Sequence, residues 1–376
     1  MFQLNPEQEL LRDNIRQIAR ERVGPRAREI DASGEFPQDL REIFSRAGLF
    51  SLMLPERYGG ADGCNTTVCL AVEELANVCG SSALMVLAHA VGLYPLILGG
   101  SDDLKHHCFS LIEEKGALAA FCLTEPGAGS DAASISTTAR PEGQYYVLDG
   151  TKCFVTNGGI ASFYSVLAKT DPAAGRNGIS AFWVEKDTPG LSVGKVEDKL
   201  GMRGSSTTEI VLDGARVPRE NLLGGEGEGF SIAMQALDMS RSAVGALALG
   251  IAQGAFEVAR EYAKQRVQFG KPIIRHEAVG FMLADMATLI EASRGLVYRA
   301  SSVFDRGEPG LTVLSSMAKY FSSDAAMKVT EDAIQVLGGY GYTNEYPLGR
   351  MLRDAKVTQI FEGTNQIQRM VISRRL

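Results

Sequence analysis

Three stretches of different periodicity divide the chain. From Leu4 onward the apolar positions recur at helical spacing: Leu11, Ile15 and Ile18 fall at i, i+4 and i+7, and Asn5 followed by Pro6 supplies a cap and a first-turn proline. PERYGGADG, residues 55–63, reads as a loop from its proline and glycines. The stretch TTVCLAVEELANVCGSSALMVLAHAVGLYPLIL that follows is long, helical and very apolar, with an expected break near Gly80 and an expected end around Pro95. Helices of that composition belong inside a protein.

From about residue 117 the period changes. Short β-rich runs (QYYVLDG, ISAFWVEK, TTEIVLDGARVP) alternate with the turn signals Pro-Glu-Gly, Thr-Pro-Gly and two Asp-Gly dipeptides, which predicts an antiparallel β domain. After GGEGEG (224–229) the pattern returns to long helices over 229–266, 275–306 and 311–337, with a last one from 364, and these predict an antiparallel four-helix bundle. The expected architecture is therefore α+β: an N-terminal helical domain over 1–119, a middle β domain over 120–226 and a helical bundle over 227–376.

Composition narrows the function. At 376 residues the chain exceeds the roughly 250 that one core supports, so it can enclose a large site between domains. A net charge of −7 argues against a nucleic-acid surface. The N-terminal LNPEQELLRDNIRQIARERV has no apolar run of signal-peptide length, and no window is read as approaching the roughly 20 apolar residues of a membrane helix; a soluble, cytoplasmic protein is expected. Six cysteines within the first 153 residues form no CxxC pair and read as buried thiols. Four histidines leave little material for a metal site or a Ser-His-Asp triad, so no metal is expected.

Candidate chemistry lies in several short segments. TEPGAGSDA (124–132) has the spacing GxGxxA, but a dinucleotide fingerprint must open a helix, and the SISTTARPEGQYYVLDG that follows reads as a hairpin. Either a tight turn or a polar-ligand loop through Thr124, Gly129 and Ser130 remains. KCFVTNGG puts Thr156 at a strand end, and QRVQFGKPI ends a helix with Arg266 and Phe269, an arginine suited to phosphate or to the helix dipole. QVLGGYGYTNEYPLGR (335–350) reads as a glycine-rich interhelical loop, and IFEGTNQIQ (360–368) carries the lone acid Glu362, by local sequence alone a solvated loop residue.

Together these segments carry a resemblance. PERYGG, TEPGAGSD, TNGG, KLGMRGSSTTE, QFGKPI, LGGYGYTNEYP and IFEGTNQIQR stand in the order and spacing of the acyl-CoA dehydrogenases, from about residue 4 to the end. The resemblance implies an FAD enzyme that converts an acyl-CoA to the 2-enoyl-CoA and passes electrons to electron-transfer flavoprotein, built as a homotetramer, a dimer of dimers. It implies that Glu362 removes the pro-R α-proton while the β-hydrogen leaves as hydride to flavin N5, with the Glu362 N–H and a ribityl hydroxyl facing the thioester oxygen and Gly363 allowing the close approach. Some relatives carry the base immediately before the arginine that is here Arg241; Ser240 stands there and cannot serve.

By the same resemblance Phe121, Leu123, Thr124, Gly129, Ser130, Phe154, Val155 and Thr156 line the flavin, Thr156 donating to N5 and Ser130 also lying near the CoA chain. Phe154 replaces a tryptophan common in relatives. Arg266, Gln268, Phe269, His276, Gln335, Val336, Leu337, Gly338 and Gly339 are implied to reach the pyrophosphate and adenosine of an FAD bound mainly to a neighbouring subunit, with Thr364 and Gln366 continuing that contact and Glu277 standing nearby. Asp238, Arg241 and Arg374 are implied to meet the CoA. Because SSALMVLAHAVGLYPLIL (81–98) holds no Lys or Arg and only His89 as a potential cation, a neutral short- to medium-chain acyl group is expected, straight, branched or cyclic. A flavin oxidase or monooxygenase on the same fold, or a lapsed acyl-CoA-binding scaffold, are the alternatives; Glu362 argues against the first two.

Overall fold

The structure, a computed structural model, describes residues 4–58, 60 and 64–376. The loop expected over 55–63 therefore falls partly, at 59 and 61–63, outside the described residues. Helix α1 (Pro6–Ile18) starts as its sequence predicts. The Asn5 side chain accepts from the Gln8 N–H at 2.8 Å, and the Gln8 side chain accepts from the Asn5 N–H at 3.1 Å. Such a reciprocal cap contributes about 1 kcal/mol. The chain continues through a π turn and a 3-10 turn (19–26) into α2 (Ala27–Ser33) and α3 (Gln38–Arg46), helices within the predicted helical domain whose individual bounds the spacing did not give. Two core helices, α4 (Asn65–Ala76) and α5 (Gly80–Gly99), and then α6 (Asp102–Lys115) complete the domain. Contrary to expectation α5 does not end at Pro95 but runs through it. Proline costs a helical hydrogen bond, yet every residue from Gly80 to Leu96 is buried, so packing on all sides holds the helix together.

The middle domain is one sheet of β1 (Ala119–Cys122), β2 (Thr138–Glu142), β3 (Tyr145–Thr156), β4 (Phe163–Lys169), β5 (Ile179–Glu185), β6 (Leu191–Val196), β7 (Thr207–Pro218) and β8 (Leu222–Leu223). The order is β6-β7-β3-β2-β4-β5-β8, with β1 beside β4. Antiparallel pairing dominates, but β1–β4 and β2–β4 are parallel. The two Asp-Gly dipeptides are not turns. Asp149-Gly150 lies inside β3 and Asp213-Gly214 inside β7, close to a register shift between those strands, and the Gly214 N–H donates to Asp149 Oδ1 at 2.8 Å. Here the glycines serve a bulge that increases the local twist.

The C-terminal domain has α7 (Gly229–Gln265), a small hairpin of β9 (Val267–Gln268) and β10 (Lys271–Pro272), α8 (Glu277–Asp305) and α9 (Leu311–Leu337), close to the predicted bounds. The fourth bundle element is not one helix but two, α10 (Leu348–Thr358) and α11 (Asn365–Ser373), so residues 348–350, read as loop, are helical. Also contrary to expectation, α5 and α7 are long and apolar enough to cross a membrane by length and composition, with mean hydropathies of 1.8 and 1.4 over their richest windows. Those windows are 83% and 78% buried within the protein, which marks core helices.

The two domain types meet at α5. A Cβ on Gly92 would stand 2.6 Å from the Ala120 nitrogen, so only glycine lets the helix lie this close to β1, and the Ser165 hydroxyl donates to the Gly92 carbonyl at 2.8 Å. Just after β3, Asn157 (φ 63°) donates from its side chain to the Met85 carbonyl at 3.2 Å, tying the TNGG turn to α5.

Candidate active site

The turn between α10 and α11 carries Glu362. Both Glu362 (φ 55°) and Gly363 (φ 90°) have left-handed backbone, which costs a non-glycine residue about 1 kcal/mol and persists only where neighbours over-determine it. They do so here. Gln368 Nε2 donates to the Glu362 carbonyl at 3.1 Å and the Gly363 carbonyl at 3.0 Å. The Lys319 ammonium, on α9, donates to the Gly363 carbonyl at 2.8 Å and to Asn365 Oδ1 at 2.9 Å. Thr364 caps α11 by accepting from the Ile367 N–H.

The carboxylate itself points at α7. The buried Ser240 hydroxyl donates to Glu362 Oε2. Burial raises the proton affinity of Glu362 above the usual carboxylate range, and the Ser240 bond and the charges of Arg241 and Lys319 offset only part of this. Arg241, 5% exposed, pairs with Asp238, which also accepts from the Thr312 hydroxyl at 2.5 Å; its Nε is buried without a hydrogen-bond partner among the described residues. Burial lowers Lys319 to about 7 against the upward pull of Glu362 and Asp324. A half-buried acid of raised basicity, flanked by a hydroxyl and two buried cations, is equipped to accept a proton from carbon.

The polar loops of the sheet are fixed from below. Lys152, fully buried, donates to Glu125 Oε1 at 2.7 Å, and Glu125 also accepts from the N–H and hydroxyl groups of Ser136 and Thr137. Burial alone would raise Glu125; Lys152 and these donors outweigh it and hold the acid at about 2. The Cys153 N–H donates to the Thr124 carbonyl at 2.9 Å, joining the TEPGAGSD loop to β3. Above this base Gly129 and Ser130 are exposed, Phe121, Thr124 and Thr156 are half-buried, and Phe154 (φ 55°) is 64% exposed. Leu123 and Val155 turn their side chains into the core.

His89, expected as the one potential cation in the α5 wall, is held neutral. Nδ1 accepts from the Ala119 N–H at 3.0 Å, so Nε2 carries the proton and faces the Phe50 carbonyl at 2.9 Å. Burial lowers its pKa to about 4.

A separate cavity of about 730 Å³ opens beside β9 and β10, lined among others by Arg266, Gln268, Phe269, His276 and Gly338–Gly339. Arg266 lies over the Tyr340 ring, 5.9 Å from its centroid, and Phe269 is 94% exposed. Gly338 (φ 60°) and Gly339 face open space where a Cβ would stand, so a ligand can approach the backbone there. An arginine, glycine backbone open to close approach and aromatic rings suit a phosphate-linked nucleotide, and these residues fit FAD.

Most predicted residues gather into these groups. Val336 and Leu337 also line the cavity, whereas Gln335, Glu277, Thr364 and Gln366 do not. Gln366 and Arg374 are exposed on α11 and its C-cap. The sequence reading missed Ser240 as the partner of Glu362, the clamp of Lys319, Asn365 and Gln368, and the Glu125–Lys152 pair. Ser240 and Glu362 are 122 positions apart and Lys319 and Gly363 are 44, and no local pattern signals contacts that distant.

Known proteins match this arrangement along its whole length. Family models for the N-terminal, middle and C-terminal domains of acyl-CoA dehydrogenase match residues 5–112, 120–215 and 227–376. Cyclohexane-1-carbonyl-CoA dehydrogenase of Geobacter metallireducens is 52% identical over 100% of this chain and 99% of its own. The structure of butyryl-CoA dehydrogenase from Megasphaera elsdenii superposes with a TM-score of 0.97 at 42% identity, covering 100% of this chain and 99% of that one. A chain from a structural study of the electron transferring flavoprotein of Acidaminococcus fermentans and flavin-based electron bifurcation gives 0.97 at 44% identity with the same coverage. The chain thus belongs to the acyl-CoA dehydrogenase family, FAD-dependent oxidoreductases that act on CoA esters.

Proposed function

We propose that the protein dehydrogenates a neutral short- to medium-chain acyl-CoA, cyclic ones included, to the 2-enoyl-CoA, with Glu362 as the base that takes the α-proton. The observation that carries this reading is the Glu362 turn. Its carboxylate is aimed at Ser240 and more basic than usual, and its backbone is clamped at both carbonyls. A thioester α-proton is very weakly acidic, so a base must be partly desolvated and held in place to remove it. The Glu362 N–H serves as donor to the thioester oxygen, where charge develops as the proton leaves. Bound FAD supplies the acceptor for the β-hydride. Thr124, Ser130, Phe154 and Thr156 are the side chains that hold its ring, and Arg266, Gln268 and Phe269 of a neighbouring copy its phosphate and adenosine end. The product is released as the enoyl-CoA, and the electrons go to electron-transfer flavoprotein, a partner supported by the likeness to a chain from such a study.

The neutral acyl group follows from the α5 wall. Leu84, Leu87, Val91 and Leu93 are apolar and buried, and His89 stays uncharged well below neutral pH. An unpaired carboxylate against this wall faces a desolvation cost of several kcal/mol, whereas each buried CH₂ gains about 0.8 kcal/mol. The identity with a cyclohexane-1-carbonyl-CoA dehydrogenase supports room for a ring. The test is kcat/KM for butyryl-, hexanoyl-, isobutyryl-, cyclohexanoyl- and glutaryl-CoA. The neutral esters are expected to exceed glutaryl-CoA by about a hundredfold or more; a preference for glutaryl-CoA would overturn the substrate assignment.

A further inference from the structure

Lys319 has no exposed surface, and both acceptors of its ammonium, the Gly363 carbonyl and Asn365 Oδ1, are neutral. Among the described residues no carboxylate lies within ion-pair distance of it. A buried ammonium so placed is costly unless charges beyond hydrogen-bond range compensate it. The charged groups facing it are Glu362 from the turn and Asp324 from α9, which favour its charge, and Arg241 from α7, which opposes it; α11 contributes only the amide of Asn365. The same ammonium grips the carbonyl that follows the strained Glu362 residue, and its side chain is not otherwise used in the reaction.

We propose that Lys319 is a positioning residue for the base: its ammonium clamps the Gly363 carbonyl, fixing the left-handed turn, and supplies the buried positive charge against which the Glu362 carboxylate stays ionised. This rests on Glu362 being the base. Burial alone drives Glu362 towards its protonated form, in which it cannot accept the α-proton, and Lys319 with Arg241 and Ser240 works against that drive. Carboxylate and ammonium therefore titrate as a coupled pair. When Glu362 takes the substrate proton, Lys319 loses its most favourable charge partner, so the charged lysine favours return of the carboxylate to its ionised state before the next turnover.

The test compares the native chain with Lys319→Met, a neutral side chain of similar length, and Lys319→Arg, which keeps the charge. Infrared difference spectra of each against its own Glu362→Gln version, without substrate and from about pH 5 to 10, report the Glu362 carboxylate band directly. In Lys319→Met the midpoint of that band is expected to move to a pH higher by about one or more. Anaerobic flavin reduction by an acyl-CoA should then fall about tenfold for each pH unit below the raised midpoint, and recover as the pH is taken above it, with KM little changed. A purely structural lysine would lower the rate equally at every pH. Lys319→Arg should keep the native midpoint even with a reduced rate, and it remains readable if Lys319→Met does not fold. An unchanged midpoint in Lys319→Met, or an equal rise of the midpoint in Lys319→Arg, overturns the proposal. If Glu362→Gln alone reduces flavin at the native rate, the base assignment fails instead.

Discussion

Residue by residue, function here depends on which groups burial keeps neutral and which it keeps charged. His89 illustrates the first case. Its folded pKa of about 4 lies below the ordinary value of 6.5, so the unfolded chain binds the extra proton more readily. The stability this contributes is present above pH 6.5 and is lost as the pH falls through 4, by up to roughly 3 kcal/mol. Asp354, raised by burial to about 6, acts in the opposite sense, its contribution present at low pH and lost as the pH rises through 6. The difference between native protein and His89→Gln, which can still meet Phe50 and Ala119, isolates the histidine. Urea unfolding across this range should lose the His89 share of the acid slope, and an unchanged slope would contradict the neutral tautomer. The lysine of the Lys152–Glu125 pair illustrates the second case: Lys152→Met strands a buried carboxylate and should cost about 3–5 kcal/mol in the same unfolding measurement. Glu362 as a candidate base was legible from its segment, because EGT stands in a recognisable run. Its hydrogen bond to Ser240 was not, since a serine on a helix gives no sign of a partner 122 positions away.

Among the elements, those whose spacing decided their burial were the legible ones. Helix α1 follows from its period-3.6 stripe and its cap, α7, α8 and α9 from long helical runs after the glycine-rich break, and β3, β5 and β7 from β-branched runs. What failed were breakers read literally. Pro95 is absorbed by a helix buried on all sides from Gly80 to Leu96, and two Asp-Gly pairs sit in strands, because tertiary packing outweighs local preference. Short α10 was hidden behind a glycine-rich approach. The α5–β1 contact makes an element-scale prediction. Gly92→Val brings a side chain into backbone atoms of Ala119 and Ala120, so it should push α5 from the sheet, loosen the Asn157 anchor and lower both the melting temperature and the FAD content of the purified protein. Full FAD occupancy at an unchanged melting temperature would show that the helix has slack here. At the β9–β10 hairpin, Arg266→Ala should weaken FAD retention by about 1.5–3 kcal/mol, read as a rise in the FAD dissociation constant.

For the whole molecule, the order of helical domain, sheet and bundle was legible because each third of the chain keeps its own period. The assembly was not, since one chain's pattern does not say which exposed surfaces meet. Phe269, which lines the cavity beside β9 and β10, and Tyr342 are 94% and 92% exposed, apolar groups that a neighbouring copy would cover if FAD bridged two copies. If FAD bridges two copies, removing it should shift the sedimentation of the protein towards smaller species, and Arg266→Ala should do so at FAD concentrations that leave the native chain assembled. The central claim concerns the reaction itself, and an anaerobic titration with cyclohexane-1-carbonyl-CoA tests it most directly. The FAD-loaded native chain should lose its oxidised-flavin absorbance as enoyl-CoA forms in equal amount, while Glu362→Gln binds the ester and reduces flavin about a hundredfold or more slowly. Reduction of Glu362→Gln at near-native rate would contradict the account.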